Sequence, residues 1–486
     1  MSVNLTSETN LTMLADFYEL TMSNGYLQNG MADKVVVFDL FFRRIPDNGG
    51  FAIAAGLEQA VEYMRGLNFS GEDIEYLRSQ KLFGKDFLKY LENFKFTCDV
   101  WAIPEGTPVF PNEPLVVVKG PIIQAQMLET MLLVTINHQS LIATKTSRIV
   151  RAAAGKNVFE FGARRAHGYS AAVYGARAAY IAGCASTSCT LSGLKFDIPV
   201  SGTMAHSWVQ SFDTELEAFK TYAKIYPNSC VLLIDTYNVI NSGVPNAIKT
   251  FDEVLKPLGR RPRAVRIDSG DIAYLSKKTR KMLDEAGYPD VQIVASNSLD
   301  EYIIRDLLLQ QAKVDSFGVG ENLITSKSNP VFGGVYKLVA VEKSGDYIPK
   351  IKISETVEKI TTPGFKSLYR FYSKDSGAAQ ADLIALYNEK INVSNGFTIF
   401  DPVNTWKKKA LENITARPLY VRVFDKGRLA CKLPSLEEIK NYCALEVASL
   451  WEEVKRFEFP HKYYVDLSQG LWDLKYSTLS HNGRRA

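Results

Sequence analysis

The chain has 486 residues, of which 46% are hydrophobic and 23% charged, and its 57 basic and 53 acidic residues leave a net charge of +4. This length predicts two or three domains rather than one core, and the small net charge excludes the broad basic surface of a typical nucleic-acid-binding protein. No apolar run approaches the roughly 18 residues of a membrane-spanning helix, so we expect no membrane association.

The N-terminus and the cysteines indicate a cytoplasmic protein. Residues 1–14 (MSVNLTSETNLTML) lack the basic and apolar regions of a secretory signal peptide. The six cysteines are dispersed and include no CxxC pair, which fits neither a disulfide framework nor a zinc site. We therefore expect a reducing, cytoplasmic environment.

Residues 1–125 predict an N-terminal α/β domain. A helical pattern over 11–30 carries Tyr18, and a strand rich in β-branched and aromatic residues follows at 34–46. Residues 96–120 then predict short strands separated by proline and glycine turns.

Alternating strand patterns over 331–373 predict that the chain returns to this first domain. We expect these strands to pair with those near 96–120, so that residues 331–400 complete the domain. Residues 400–486 are charged and mixed in pattern, and we predict that they form a C-terminal subdomain.

Residues 126–330 predict a β/α barrel that carries the chemistry. Apolar strands alternate there with helices, and none shows the apolar–polar alternation of a half-buried strand. Such strands form a parallel sheet that helices cover on both faces. The predicted fold class is therefore α/β, an irregular TIM-like β/α barrel inserted in an α+β, β-rich domain; an open, doubly wound sheet is the alternative.

Polar residues follow the predicted strands, and the carboxyl ends of parallel strands meet at one edge. Carboxylates there could hold Mg²⁺ or ribose hydroxyls, arginines could bind phosphate or carboxylate oxygens, and backbone N–H groups of small residues could bind phosphates. The candidates are Glu160, Phe161, Arg164, Arg165, Asp235, Arg266, Asp268, Ser269, Gly270, Asp271, Ser296, Asn297, Gly318 and Gly320.

His206 lies among small residues in FDIPVSGTMAHSWVQSF, just before a helical pattern that runs to Tyr222. The spacing places the imidazole at or before the first turn of a helix, where N–H groups and the helix dipole favour an anion. The ring could bind a phosphate or accept a phosphoryl group. A histidine that only caps or packs the helix is the alternative.

Seven segments occur in the order of the nicotinate phosphoribosyltransferase family, which the chain resembles over nearly its whole length: DFYELTM, FDLFFRRIP, EFGARRAHG, GTMAHS, RIDSGD, FGVGENLIT and GGVYKL. The resemblance implies a type II phosphoribosyltransferase fold. It also implies conversion of nicotinate and phosphoribosyl pyrophosphate to nicotinate mononucleotide and pyrophosphate, coupled to ATP hydrolysis, at the entry of nicotinate into NAD synthesis. ATP as co-substrate, Mg²⁺ as cofactor and a homodimer with active sites at its interface are further expectations.

The resemblance also implies a nicotinate site. Phe161 matches the aromatic residue that stacks on the pyridine ring, and Tyr18 of a second subunit matches the one on the opposite face. Arg266 matches the arginine that reaches the nicotinate carboxylate, with Thr203 and Ser188 as neighbouring hydroxyls.

For the transfer reaction the resemblance implies that ATP phosphorylates His206, with Arg266 and Asp268 as further catalytic residues. Asp268 and Asp271 are the expected magnesium ligands, whereas Glu321 should repel a phosphate and is not expected to bind one. The expected phosphoribosyl pyrophosphate site comprises Arg164, Asp235, Asp268, Ser269, Gly270, Ser296, Asn297, Gly318 and Gly320.

Other functions remain as alternatives. In nicotinamide phosphoribosyltransferase an Asp stands where this chain has Thr187 and Ser188, so the hydroxyls here favour nicotinate. Quinolinate phosphoribosyltransferases are shorter chains without the phosphorylated histidine, and the type I family needs a second acid beside Asp235. A catalytically silent metabolite-binding homologue and a glycosidase that uses Glu160 with Asp235 are the remaining alternatives.

Overall fold

A computed structural model of the protein describes residues 10–483, apart from the side chains of Val357, Asn482 and Gly483. The chain divides into two compact units, unit 1 with residues 1–144 and 331–486 and unit 2 with residues 145–330. Most of the N-terminal stretch in which we predict no signal peptide lies outside the described residues. Between residues 10 and 483, no helix combines the length and the hydropathy that crossing a membrane requires.

The first part of unit 1 alternates helices and short strands. In chain order the elements are α1 (Phe17–Gln28), β1 (Val35–Phe41), β2 (Ala52–Ile53), α2 (Leu57–Gly66), α3 (Gly71–Ser79), α4 (Lys85–Glu92), β3 (Asp99–Ala102), β4 (Pro108–Val109), β5 (Val116–Pro121), α5 (Ile122–Gln126) and α6 (Glu129–Ala152). The boundary between the units falls inside α6, at 144/145, whereas the sequence pattern placed it near 125.

Unit 2 repeats a strand followed by helix. Its elements are β6 (Asn157–Glu160), α7 (Tyr169–Ile181), β7 (Ser186–Thr187), α8 (Thr190–Phe196), α9 (His206–Gln210), α10 (Glu215–Ile225), β8 (Val231–Leu233), α11 (Val244–Thr250), β9 (Ala264–Ile267), α12 (Ile272–Glu285), β10 (Gln292–Ser296), α13 (Glu301–Leu309), β11 (Ser316–Val319) and α14 (Glu321–Ile324).

The chain then returns to unit 1. The elements are β12 (Val335–Lys343), β13 (Asp346–Pro349), β14 (Lys366–Ser373), β15 (Ala379–Leu386), β16 (Phe397–Phe400), β17 (Lys408–Leu411), β18 (Ile414–Pro418), β19 (Val421–Asp425), β20 (Arg428–Leu429), α15 (Leu436–Ala448), β21 (Val465–Leu467) and α16 (Gln469–Gly483).

Unit 1 is organised around β1, whose VVVFDLF sequence is buried at six of its seven positions. It pairs antiparallel with β12 on one side and with β5 on the other. The whole sheet has the order β13-β12-β1-β5-β3-β19-β20. The predicted direct pairing of the returning strands with residues 96–120 is therefore wrong, because β1 lies between β12 and β5.

Residues 400–486 take part in the sheets of unit 1. β19 pairs with β3 of the first segment, and β18 and β21 flank β14 and β15 in a four-stranded sheet. The structure thus has two compact units, and the predicted C-terminal subdomain lies within the first of them.

Unit 2 contains a parallel sheet with the order β7-β6-β11-β10-β9-β8. Along the chain, β8, β9, β10 and β11 are successive neighbours in the sheet, and each new strand is added on the same side of the previous one. The step from β6 to β7 has the same direction, as the strands of a barrel do. A doubly wound sheet would reverse direction at a switch point. Among the described residues β7 and β8 are the outer strands of this sheet and do not pair with each other, so the barrel is irregular and open between them. On its outer side β7 has one isolated parallel bridge, between Thr187 and Val200.

The parallel sheet is curled. The guanidinium carbon of Arg266, on β9, lies 5.7 Å from the ring centre of Phe161, which follows β6. Two strands, β11 and β10, separate β6 from β9, so these two side chains lean toward each other across the carboxyl ends of the sheet. The predicted irregular β/α barrel, inserted in a β-rich unit, is confirmed.

Candidate active site

The predicted site residues of unit 2 meet at the carboxyl ends of the parallel strands. Arg266, on β9, is at the centre of a hydrogen-bond network. Its Nε donates to Ser296 Oγ (2.9 Å), Nη1 to Thr203 Oγ1 (3.0 Å) and Nη2 to Asp268 Oδ1 (2.9 Å). These three acceptors fix the plane of the guanidinium, and its side chain is only 14% exposed.

Asp235 organises the loop that follows β9. Its Oδ2 accepts hydrogen bonds from the Asp268 N–H (3.0 Å) and the Ser269 hydroxyl (2.6 Å). Asp235 Oδ1 is buried and has no hydrogen-bond partner among the described residues. One oxygen of this carboxylate therefore shapes the loop, and the other remains available for a ligand.

His206 is the first residue of α9, a separate five-residue helix, so the predicted location at a helix start is confirmed but the helix ends before α10. Its Nδ1 is 3.1 Å from Thr236 Oγ1, and its Nε2 is 3.8 Å from Asp268 Oδ2. Each ring nitrogen thus faces an oxygen. The side chain is 40% exposed, which leaves the ring accessible to a substrate.

Phe161 is held close to the backbone of β11. Its N–H donates to Val319 O (2.8 Å), and a Cβ added to Gly318 would lie 2.5 Å from the Phe161 ring. Any side chain at 318 would therefore displace the ring. Gly318 was predicted to bind a phosphate, but the structure gives a separate steric reason for glycine there: the Phe161 ring occupies the space that a side chain would fill.

Glu160 is fully buried at the end of β6 and joins two strand ends. Its carboxylate accepts hydrogen bonds from the Gly162 N–H and from Thr187 Oγ1 (2.6 Å), and burial raises its pKa. Ser188 follows Thr187 in the chain. It is exposed, and its N–H donates to the Glu160 carbonyl (2.8 Å). With both carboxylate oxygens occupied, Glu160 cannot act as an acid facing Asp235, so the geometry contradicts the glycosidase alternative.

The loop after β10 has a backbone conformation that is rare for side-chain-bearing residues. Asn297 and Ser298 have φ angles of 85° and 52°, and both are exposed. Such positive angles cost about 1–3 kcal/mol and concentrate at ligand-binding sites. Gly270, in the loop after β9, also has a positive φ (78°), which glycine adopts without strain.

Asp271, Arg164, Gly320 and Tyr18 are among the predicted residues that lie outside the hydrogen-bond network around Arg266 and Asp235. Asp271 Oδ1 accepts the Tyr274 N–H (2.9 Å) and caps α12, so one of its oxygens serves the helix. Arg164 is exposed and Gly320 partly exposed. Tyr18 lies in α1 of unit 1 and is 43% exposed.

Glu321 is engaged by neighbouring cations. Its carboxylate pairs with Lys327 Nζ (2.7 Å) and lies 3.7 Å from Arg165 Nε, and Lys327 lowers its pKa. These pairs occupy the side chain in an exposed ion cluster, in keeping with the prediction that it does not bind phosphate directly.

Two contacts were missed at the sequence level. Thr236 pairs with His206, and Thr187 Oγ1 links Glu160 to the Cys189 N–H (2.9 Å). The position of Thr236 directly after Asp235, at a strand end, was the available signal. For Thr187 the only sequence signal was its position in a segment rich in hydroxyl-bearing residues.

Family models match almost the entire chain. The nicotinate phosphoribosyltransferase N-terminal domain matches residues 13–137, the family model matches 157–388, and the C-terminal domain matches 365–475.

Curated relatives and solved structures agree with these matches. A nicotinate phosphoribosyltransferase of Bacillus subtilis is 43% identical to this chain, and the alignment covers 96% of this chain and 94% of that protein. The nicotinate phosphoribosyltransferase of Homo sapiens is 32% identical, and the alignment covers 94% of this chain and 95% of that protein. The crystal structure of human nicotinic acid phosphoribosyltransferase superposes with a TM-score of 0.82, covering 96% of this chain and 99% of that one at 30% identity.

A nicotinate-nucleotide pyrophosphorylase from Pyrococcus furiosus shares the fold alone, with a TM-score of 0.69 at 24% identity, covering 92% of this chain and 98% of its own. Identity over nearly the full length of the relatives, together with the family matches, settles the family. The chain belongs to the nicotinate phosphoribosyltransferase family.

Proposed function

We propose that this enzyme transfers the phosphoribosyl group of phosphoribosyl pyrophosphate to the ring nitrogen of nicotinate, yielding nicotinate mononucleotide and pyrophosphate, with ATP hydrolysed through a phosphohistidine at His206. The proposed role is the entry of nicotinate into NAD synthesis in the cytoplasm. The observation that carries the proposal is a restrained guanidinium next to an aromatic ring, Arg266 and Phe161.

This pair fits the two parts of nicotinate. The Phe161 ring offers a face for the pyridine ring, and Arg266 offers a charge-assisted partner for the carboxylate. Thr203, hydrogen-bonded to Arg266, and the exposed Ser188 add hydroxyls. Glu160, the buried carboxylate that precedes Phe161 in the chain, already accepts two protein hydrogen bonds, so it is not placed to recognise the amide of nicotinamide.

The strand ends of β8 to β11 would hold phosphoribosyl pyrophosphate. Bond breaking at C1 of the ribose places positive charge on the sugar and negative charge on the departing pyrophosphate, and fixed groups of the protein stabilise both. Asp235 and Asp268 are suited to the ribose hydroxyls. The Ser269–Gly270 loop, the left-handed turn at Asn297 and the backbone at Gly320 would present N–H groups to phosphates. Arg164, which follows Phe161 by three residues and is exposed, would add a positive charge.

The free Oδ1 of Asp235 and the Oδ2 of Asp268 fit the oxygen preference of Mg²⁺, which would bind pyrophosphate oxygens and neutralise them. Asp271 is less suited, because one of its oxygens caps α12. The pyridine nitrogen of nicotinate carries no proton to remove, so no general base is needed. Positioning of that nitrogen in line with C1 supplies the main acceleration.

In the ATP-dependent step, a ring nitrogen of His206 attacks the γ-phosphorus and ADP departs; water later takes the phosphoryl group and restores the imidazole. Asp268 and Thr236 face opposite edges of this ring and would orient it. We further propose a homodimer in which Tyr18 of the partner subunit covers the second face of the pyridine ring.

The test is mononucleotide formation from phosphoribosyl pyrophosphate with nicotinate or nicotinamide, with and without ATP. The wild type is compared with His206→Ala and with His481→Ala, an exposed histidine of α16. We expect nicotinate to be the preferred base, ATP to raise the rate, and His206→Ala to lose only the ATP-dependent gain while His481→Ala keeps it. If neither base reacts and no ATP is hydrolysed, a silent metabolite-binding homologue becomes the better account.

A further inference from the structure

Unit 1 contains a cavity of about 740 Å³ that the proposed reaction does not use. All of its walls come from unit 1, from the loops around residues 45–50 and 110–112, from 399–409 around β16 and β17, and from 460–466. Ligand-binding clefts typically measure about 300–1,000 Å³, so the volume suits an organic molecule.

The wall of the cavity carries an excess of positive charge. Four lysines line it (Lys407, Lys408, Lys409 and Lys462), together with His461, against two aspartates, Asp401 and Asp466. Asp401 is committed to the protein, since its Oδ1 accepts the N–H groups of Val403 (2.9 Å) and Asn404 (2.7 Å). Its Oδ2 lies 4.0 Å from Lys462 Nζ.

Lys409 is the distinctive residue. Its Nζ lies 4.5 Å from the ring centre of Tyr464 and 4.9 Å from that of Trp451, and it pairs with no carboxylate among the described residues. Burial lowers its pKa. An ammonium group that is partly desolvated, held over two aromatic rings and left without a counter-ion is a ready partner for an anion.

The remaining walls suit a flat ring. Phe110 and Tyr463 line the cavity but are nearly buried and stack on each other, with ring centres 3.9 Å apart. The lining rings that reach solvent are those of the partly exposed Tyr464 and the exposed His461, whose centres are 5.9 Å apart. Aromatic side chains bind nucleobases by stacking. His461 Nδ1 donates to the Lys462 carbonyl (2.8 Å), which leaves its Nε2 as the ring atom available to a ligand.

We propose that this cavity binds a nucleotide, with its phosphate on Lys409 and its base against the aromatic wall. The nearly buried carboxylate of Asp466, which is 5% exposed, lies on the same wall and is suited to a sugar hydroxyl. The proposal does not depend on the transfer reaction, because His206, Arg266 and Asp268 all belong to unit 2.

The test is calorimetric titration of the full chain with AMP, with adenosine and with inorganic phosphate. Wild type is compared with Lys409→Gln, with Lys409→Arg, which keeps the charge, and with Lys374→Gln, an exposed lysine after β14 as the matched control. Titration of His206→Ala separates this cavity from nucleotide binding near the histidine. Circular dichroism verifies that each variant is folded.

We expect wild type and His206→Ala to bind AMP at a site that Lys409→Gln weakens roughly ten-fold to a hundred-fold, the loss of one charge-assisted contact. Lys409→Arg and Lys374→Gln should retain it, and adenosine and phosphate should each bind more weakly than AMP. The proposal is overturned if no AMP site depends on Lys409, or if Lys409→Gln and Lys374→Gln bind alike. Equal affinity for phosphate and AMP would overturn the role of the aromatic wall.

Discussion

Two arginine–aspartate pairs in this protein have the same chemistry and different surroundings. In unit 2, Arg266 and Asp268 are 2.9 Å apart with side chains 14% and 24% exposed. In unit 1, Arg370 and Asp382 are 2.6 Å apart and neither is exposed. The first pair keeps an accessible edge for a substrate, whereas protein groups enclose the second.

The enclosure of the second pair is nearly complete. Arg370 donates two hydrogen bonds to Asp382 and one to the Pro108 carbonyl (2.8 Å), and the Tyr463 hydroxyl donates to Asp382 (3.1 Å). Burial and the nearby Asp382 raise the pKa of Glu113 well above its usual range. The two pairs share their residue types, so exposure is what distinguishes the pair that we propose binds substrate from the enclosed, structural pair.

The largest effect should follow from breaking the enclosed pair. Asp382→Ala leaves the Arg370 charge buried without its partner, which typically costs about 3–5 kcal/mol. We expect a large fall in the urea midpoint of unfolding, with little change from Asp346→Ala, an exposed aspartate of β13. If the free energy of unfolding of Asp382→Ala lay within about 1 kcal/mol of the wild-type value, the enclosed pair would contribute little stability.

Breaking the accessible pair should instead reduce activity. Arg266→Met removes the proposed partner of the nicotinate carboxylate, and loss of such a preorganised donor typically costs about 10²–10³-fold. We expect kcat/KM for nicotinate to fall by this amount. The free energy of unfolding should fall less than it does for Asp382→Ala, because neither Arg266 nor Asp268 is fully buried.

Arg263→Met, an exposed arginine just before β9, is the matched control and should retain activity. If Arg266→Met lowered stability as much as Asp382→Ala does, the distinction between the two pairs would fail. If it retained full activity with nicotinate, the assignment of the carboxylate site would fail.

A smaller effect should follow from moving Phe161 while leaving Arg266 in place. Gly318→Ala would bring a methyl group to 2.5 Å from the ring and force the ring to shift. We expect KM for nicotinate to rise about ten-fold, or about 1.4 kcal/mol, with a smaller change in KM for phosphoribosyl pyrophosphate. Gly71→Ala, where no atom lies within 4 Å of an added Cβ, should have no effect. A larger effect on phosphoribosyl pyrophosphate would indicate that the Gly318 backbone serves the phosphate instead.

The repeated strand and helix pattern predicted the barrel, because most of its strands are short apolar runs that end in, or are followed by, polar residues. The predicted partner of β12 was wrong because β1 and β5 both begin with an apolar VVV run and either could pair with β12. In the structure β1 lies between β12 and β5 and pairs with both. Sequence pattern carries no information on that order.

The strand-end rule also found Asp235, Arg266, Asp268 and Ser296, which do meet in the structure. It did not reveal that Gly318 seats Phe161 or that Glu160 is occupied by Gly162 and Thr187. Such assignments depend on contacts between residues far apart in the chain. The Asp271 cap, by contrast, is a local hydrogen bond between residues three positions apart.

The last prediction concerns the pH dependence of stability. It rests on Asp466, a nearly buried carboxylate that has no arginine partner among the described residues. Burial raises the pKa of Asp466 to about 7, with a further contribution from Asp401, while Lys462 opposes the shift. The folded protein therefore holds a proton there between about pH 4 and pH 7, where the unfolded chain has released it. Stability should decrease as pH rises through this range, because the folded state must then either bury a charge or keep a proton.

Asp466→Asn removes this titration without changing the size of the side chain. We expect its melting temperature to match wild type near pH 4 and to exceed it increasingly as the pH rises to 8. Glu19, whose pKa burial also raises to about 7, is present in both proteins and cancels in the difference. Asp473→Asn, at an exposed position of α16, should follow wild type at every pH. A constant offset between Asp466→Asn and wild type would mean that Asp466 stays ionised in the folded protein, and that Lys462 compensates it as Arg370 compensates Asp382.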